Sequence, residues 1–139
     1  MTDSIFTKIL HGEIPGHIIY QDDTTFVILT IEPLSPGHML VIPKLEVDHL
    51  WDLDDTAYHH LFDVAKQMQA KLKTAYPTYD RIGLIVEGYG VPHAHIHVFG
   101  FDQPLEKMIA DRASRKSSGE SLMISPESLQ PVAEKLRSV

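Results

Sequence analysis

Residues His93-Ala94-His95-Ile96-His97-Val98-Phe99 alternate imidazole and apolar side chains without a break. Successive side chains of a strand point to opposite faces, so this segment predicts a strand with three histidines on one face and Ala94, Ile96 and Val98 on the other, the apolar face being the buried one. Each imidazole carries groups that need hydrogen-bond partners, and packing alone does not account for three in line.

Three uses of such a row compete. As one metal site it is awkward, because His93 and His97 stand about 13 Å apart along an extended strand, too far for one ion unless the strand bulges. Adjacent pairs could ligate only with further ligands from elsewhere. As a nucleophilic site, the middle imidazole attacks an electrophile while its neighbours hold the electrophile's oxygens. The third use is none: a solvated strand face.

The rest of the chain supplies a frame. Apolar side chains at Ile5, Phe6, Ile9 and Leu10 predict a short helix that Gly12 and Pro15 end. Ile18–Tyr20 and Thr25–Thr30 read as a hairpin, and His38–Ile42 as a third strand stopped by Pro43. Tyr58, Leu61, Phe62, Ala65, Met68, Leu72 and Tyr76 follow helical steps, with Asp52 or Asp54 as N-cap and Pro77 as terminator. Ile82–Glu87 and Ala94–Phe99 are two further strands about a tight Gly88-Tyr89-Gly90 connection. This order predicts an α+β fold, an antiparallel sheet on one long helix. Arg112–Gly119 lacks apolar periodicity and reads as a mobile loop. Ser125-Pro126-Glu127 then starts a tail helix, with Leu129, Val132, Ala133 and Leu136 on one face, that docks on the domain or on a second subunit.

Composition removes other classes. A net charge of −7 argues against a surface that tracks a nucleic-acid backbone, though local donors can still hold a single phosphate. Without cysteine there are no disulfides, thiolate zinc sites or cysteine nucleophiles. No run of 18 apolar residues and no signal-like start are present, so a soluble cytoplasmic protein is expected, with no membrane partner.

The segment 93–99 matches all seven positions of the histidine triad signature, in which three histidines alternate with apolar residues. The chain resembles that family upstream as well, over Ile5–Ile9, Gly12-Glu13-Ile14-Pro15, Tyr20-Gln21-Asp22-Asp23 and Pro36–Lys44. The resemblance implies a five-stranded antiparallel sheet with one long helix and a short N-terminal helix, here over residues 1–104, followed by a C-terminal extension over 105–139. It implies a homodimeric nucleotide hydrolase or transferase acting at the α-phosphate of phosphoramidates, dinucleoside polyphosphates or adenylylated compounds, with a purine nucleotide as the small-molecule partner. By position His95 becomes the nucleophile that takes up the nucleotidyl group, His97 the donor to a phosphate oxygen, and His93 with His38 the supporting network. Ile5, Phe6, Ile9, Ile28 and Leu40 would wall the base.

Departures from the family's pattern carry expectations too. Ser4, Thr7 and Glu46 stand where some members have zinc ligands, so no metal or cofactor is expected. Thr30 replaces an aspartate that holds the ribose hydroxyls. The loop Val86–Pro92 is about four residues shorter than in a common branch, with Gly90 at a serine position, although Gly88 and Gly90 still let backbone N–H groups approach an oxyanion. Two alternatives to an enzyme follow from these departures and from the row itself: a nucleotide-binding module without chemistry, and a metal-binding protein using adjacent histidines.

Overall fold

A computed structural model describes residues 2–139. One antiparallel sheet holds five strands, β1 (Ile18–Gln21), β2 (Thr25–Leu29), β3 (Met39–Pro43), β4 (Arg81–Ile85) and β5 (Ile96–Phe101), in the order β1-β2-β3-β5-β4. Helices α1 (Ile5–Leu10), α2 (Asp55–Ala75), α3 (Leu105–Ser117) and α4 (Pro126–Arg137) complete the α+β architecture expected from the sequence.

The 21-residue α2 starts where Asp54 accepts the Ala57 N–H, and its Leu61, Val64, Met68 and Leu72 pack on Val27, Met39, Val41, Ile96 and Val98 of the sheet. Strands β2 and β3 are buried on both faces, because α1 covers the other side: Phe6 joins Phe26, Ile28, Leu40 and Ile42 there. The imidazole side of the 93–97 segment is therefore largely covered, with His93 and His95 0% and 5% exposed and His97 partly open.

The strand carrying the triad is shorter at its start than the alternation predicts. β5 begins at Ile96, so of the three histidines only His97 lies in the ladder. The reason lies in the backbone: the His93 N–H turns back to the Val91 carbonyl and the Ala94 N–H goes to Val47, leaving no ladder bonds for either. The connection from Val86 to His95 is correspondingly longer than a tight turn, with Gly88 and Gly90 at φ of 90° and 93°.

The 105–139 extension is also more ordered than expected. In place of a mobile loop at Arg112–Gly119, α3 runs to Ser117. Its Leu, Glu, Lys, Met, Ala and Arg residues are good helix formers, and Arg115 and Lys116 sit in the last turn where the dipole favours cations. Only Met108 is buried, so a search for an apolar stripe passes over it. Helix α4, capped by Ser125 as predicted, docks on its own domain: Leu129, Ala133 and Leu136 enter the α2-side core, and Arg137 donates to the Ile18 carbonyl at 2.9 and 3.0 Å. Among the described residues no helix is long and apolar enough to cross a membrane.

Candidate active site

Four imidazoles come together from His38, just before β3, and from His93, His95 and His97 on the approach to and start of β5, and the neighbours of each decide which nitrogen carries its proton. His38 enters β3 after Gly37, whose φ of 89° and close approach to Leu72 and Tyr76 exclude a side chain. The Leu34 N–H donates to His38 Nδ1 at 3.0 Å, so the proton sits on Nε2, which donates to His97 Nδ1 at 2.9 Å. His97 in turn keeps its own proton on Nε2. His95 Nδ1 donates to the His93 carbonyl at 2.8 Å, which leaves a lone pair on His95 Nε2. His93 is held at both ends, Nε2 donating to the Pro43 carbonyl and Nδ1 accepting from the Ser4 hydroxyl, each at 2.6 Å.

The result is a pair of adjacent rings, 4.9 Å apart between centroids, one presenting a lone pair and the other an N–H. Neither Nε2 has a hydrogen-bond partner among the described residues, and no buried side-chain nitrogen or oxygen there is left unpaired, so both atoms reach solvent although His95 is 5% exposed. Phe6 presses edge-on against the His95 ring at 4.9 Å and fixes its plane.

Burial keeps these rings neutral. It lowers His95 from the ordinary histidine range, and it lowers His97 to about 4 with help from the neighbouring His95. His38 falls to about 3 through burial, then through His97, Arg112 and His95. A neutral imidazole with a free Nε2 is a nucleophile at pH 7 without a separate base.

The remaining predicted residues divide. Phe6, Ile28 and Leu40 are buried together beneath the histidine row, with Ile9 half-buried against them, whereas Ile5 is 46% exposed and faces outward. Thr30 follows β2 beside His38, its N–H reaching the His38 carbonyl at 3.3 Å. Gly90 stands exposed on the loop before the triad. Sequence reasoning missed the Leu34 N–H, the Pro43 carbonyl and the Ser4 hydroxyl as the groups that set the tautomers. The first two are backbone atoms with no sequence signal.

A HIT domain model matches residues 11–103. The chain belongs to the HIT family. It is 36% identical over 104 residues to a HIT-like protein of Borreliella burgdorferi, covering 70% of this chain and 75% of that protein. It is 38% identical over 105 residues to a HIT-like protein of Synechococcus elongatus, covering 70% and 90%. Among solved structures, a HIT-like protein of Bartonella henselae described as involved in cell-cycle regulation superposes with a TM-score of 0.80 at 26% identity, over 98% of this chain and 95% of that one. The extension α3–α4 lies beyond the family match.

The positions that resemble a zinc site in some HIT proteins hold a different arrangement here. Glu46 Oε1 accepts from the Ser4 N–H at 2.6 Å and from the Thr7 hydroxyl at 2.5 Å, and lies 3.9 Å from His93 Nδ1. Those hydrogen bonds hold the Glu46 carboxyl below its usual range. Two hydroxyls, one carboxylate and one imidazole are a poor donor set for structural zinc, and their polar atoms bond one another. Elsewhere too, no group of three or more His, Cys, Asp or Glu side chains among the described residues is placed to hold a metal ion.

Proposed function

We propose that this HIT protein is a nucleotide hydrolase or transferase acting at an α-phosphate through His95. The observation that supports it most is the solvent-reaching lone pair on His95 Nε2, with Nδ1–H held on the His93 carbonyl, beside the His97 N–H. In this reading His95 Nε2 attacks the α-phosphorus and an N–P bond forms. The P–N or P–O bond to the leaving group breaks, its electron pair departing with that group, which takes a proton from water. Water, or a second acceptor, then attacks phosphorus, and the N–P bond breaks to return the lone pair to His95. His97 Nε2–H donates to a non-bridging oxygen as charge builds there, and His38 and His93 hold the two working rings in their tautomers. Ile9, Phe6, Ile28 and Leu40 would form the wall for a purine base, with Thr30 at the ribose and the Gly88–Gly90 backbone near the leaving group.

The same reading includes a homodimer in the cytoplasm. β4 is an edge strand, and Leu84 and Val86 at that edge are 48% and 39% exposed, a surface suited to a second copy. A second reading, nucleotide binding without chemistry, draws on Gly90, which offers no side-chain proton to a leaving group.

The test is release of nucleoside monophosphate from adenosine 5′-phosphoramidate and from a dinucleoside polyphosphate by wild type and His95→Gly. Multiple turnovers that fall by at least about 1,000-fold in the variant support the enzyme. Binding without release supports the second reading, and equal turnover in both proteins removes His95 from the chemistry.

A further inference from the structure

A cavity of about 320 Å³ opens where the β2–β3 connection, α3 and the segment leading into α4 meet, with Thr30, His38, Arg112, Arg115 and Ser128 in its lining. It adjoins the histidine row through His38, yet two of its walls come from the extension outside the family match.

Its two arginines are in different states. Arg115 donates from Nε and Nη2 to Glu120 at 3.0 and 2.9 Å, so its fork is taken. Arg112 makes no hydrogen bond among the described residues. Its only ionic neighbour is the Glu32 carboxylate at 3.6 Å, and Glu32 is itself 53% exposed. A guanidinium carries five donors in a planar fork that matches phosphate, and here those donors border a cavity with only 26% of the side chain exposed. The Arg112 charge is close enough to help depress His38. Thr30 adds a hydroxyl that accepts from the Glu32 N–H at 3.2 Å and keeps its own proton free to donate.

We propose that this cavity is a subsite for a second phosphate carried on the ribose of the nucleotide, held by Arg112 and Thr30. The inference rests on the assignment of His95 as the group that attacks the 5′-phosphate. Direction along the site selects the ribose. Leu40 lies opposite His97 and Met39 opposite Val98 in the ladder, so moving from His95 through His97 to His38 leads away from the Gly88–Gly90 loop and toward Arg112. The cavity lies at the end of the row away from that loop, where Thr30, the residue assigned to the ribose, lines it together with His38 and Arg112.

The experiment is calorimetric titration of the intact protein with AMP and with adenosine 2′,5′- and 3′,5′-bisphosphates. One of the bisphosphates should bind at least about tenfold tighter than AMP, and this ratio should fall to about one in Arg112→Gln. Glu32→Gln, which removes the one carboxylate competing for Arg112, should raise the ratio above wild type, and it carries the test even if Arg112→Gln misfolds. Bisphosphates that bind no better than AMP, or a ratio unchanged in the two variants, overturn the subsite. AMP titrated in excess inorganic phosphate forms a third arm: a free phosphate that tightens AMP as much as the ribose-borne group does would overturn placement on the ribose. Failure of AMP and both bisphosphates to bind wild type at all would instead overturn the nucleotide reading on which the subsite rests.

Discussion

Acid should weaken this fold through the histidine row before it touches the carboxylates. His38 and His97 have values of about 3 and 4 in the folded protein against 6.5 when free. Their depression means that stability is intact above pH 6.5 and is lost as pH falls toward 4 and then 3. Between pH 7 and pH 5 each ring costs about 1.9 kcal/mol by linkage, about 4 kcal/mol for the two, and His95 adds in the same direction. Asp22, held at about 2, and Glu46 also have depressed values, but their contributions are lost mainly below pH 4.5, so the window isolates imidazoles. A loss of about 4 kcal/mol is a large part of the 5–15 kcal/mol typical of a domain. Urea titrations at the two pH values measure it directly. His97→Gln, which removes one of these rings, should shrink the drop by about 2 kcal/mol. A wild-type drop below about 1 kcal/mol, or an equal drop in the variant, would refute the claim that burial holds these rings neutral.

Ser4→Ala leaves the buried Nδ1 of His93 without its donor, so unfolding free energy should fall by about 1–3 kcal/mol in urea titration; because the His93 carbonyl holds His95, single-turnover cleavage should slow as well. Gly100→Ala drives a Cβ into the Tyr79 ring, whose hydroxyl is tied to the Pro36 carbonyl at 2.6 Å, and should cost about 1–3 kcal/mol by overpacking in the same assay. Leu136→Ala should cost about 2–5 kcal/mol in a single cooperative transition, since α4 shares the α2-side core; a separate early transition would mean that the tail unfolds on its own.

Local signals were legible where one residue type does one job. Asp54 and Ser125 cap α2 and α4 as side-chain acceptors, and both helix starts were readable from the sequence. The β1–β2 hairpin followed from short apolar runs about Asp22 and Asp23, whereas the pairing of β3 with β5 had no local signal. Helix α3 was not legible, because it is sustained by propensity and end charges while burying only Met108. The start of β5 was misplaced for a different reason: alternation reports side-chain direction and says nothing of where the His93 and Ala94 N–H groups bond. The imidazole identities at the site were plain, but their tautomers depend on Leu34, Pro43 and Ser4, the last 89 residues from His93 in the chain. Arg112 belongs to the segment that periodicity dismissed, and its place in the same cavity as His38 exists only in the folded chain.

The most direct measurement is the mass of the intact protein during a single turnover of adenosine 5′-phosphoramidate with enzyme in excess, quenched in alkali where an N–P bond survives. The account predicts a transient adduct of one nucleoside monophosphate, mapped to the peptide that carries His95 and absent from His95→Gln. Release of product at the wild-type rate by His95→Gln would contradict it.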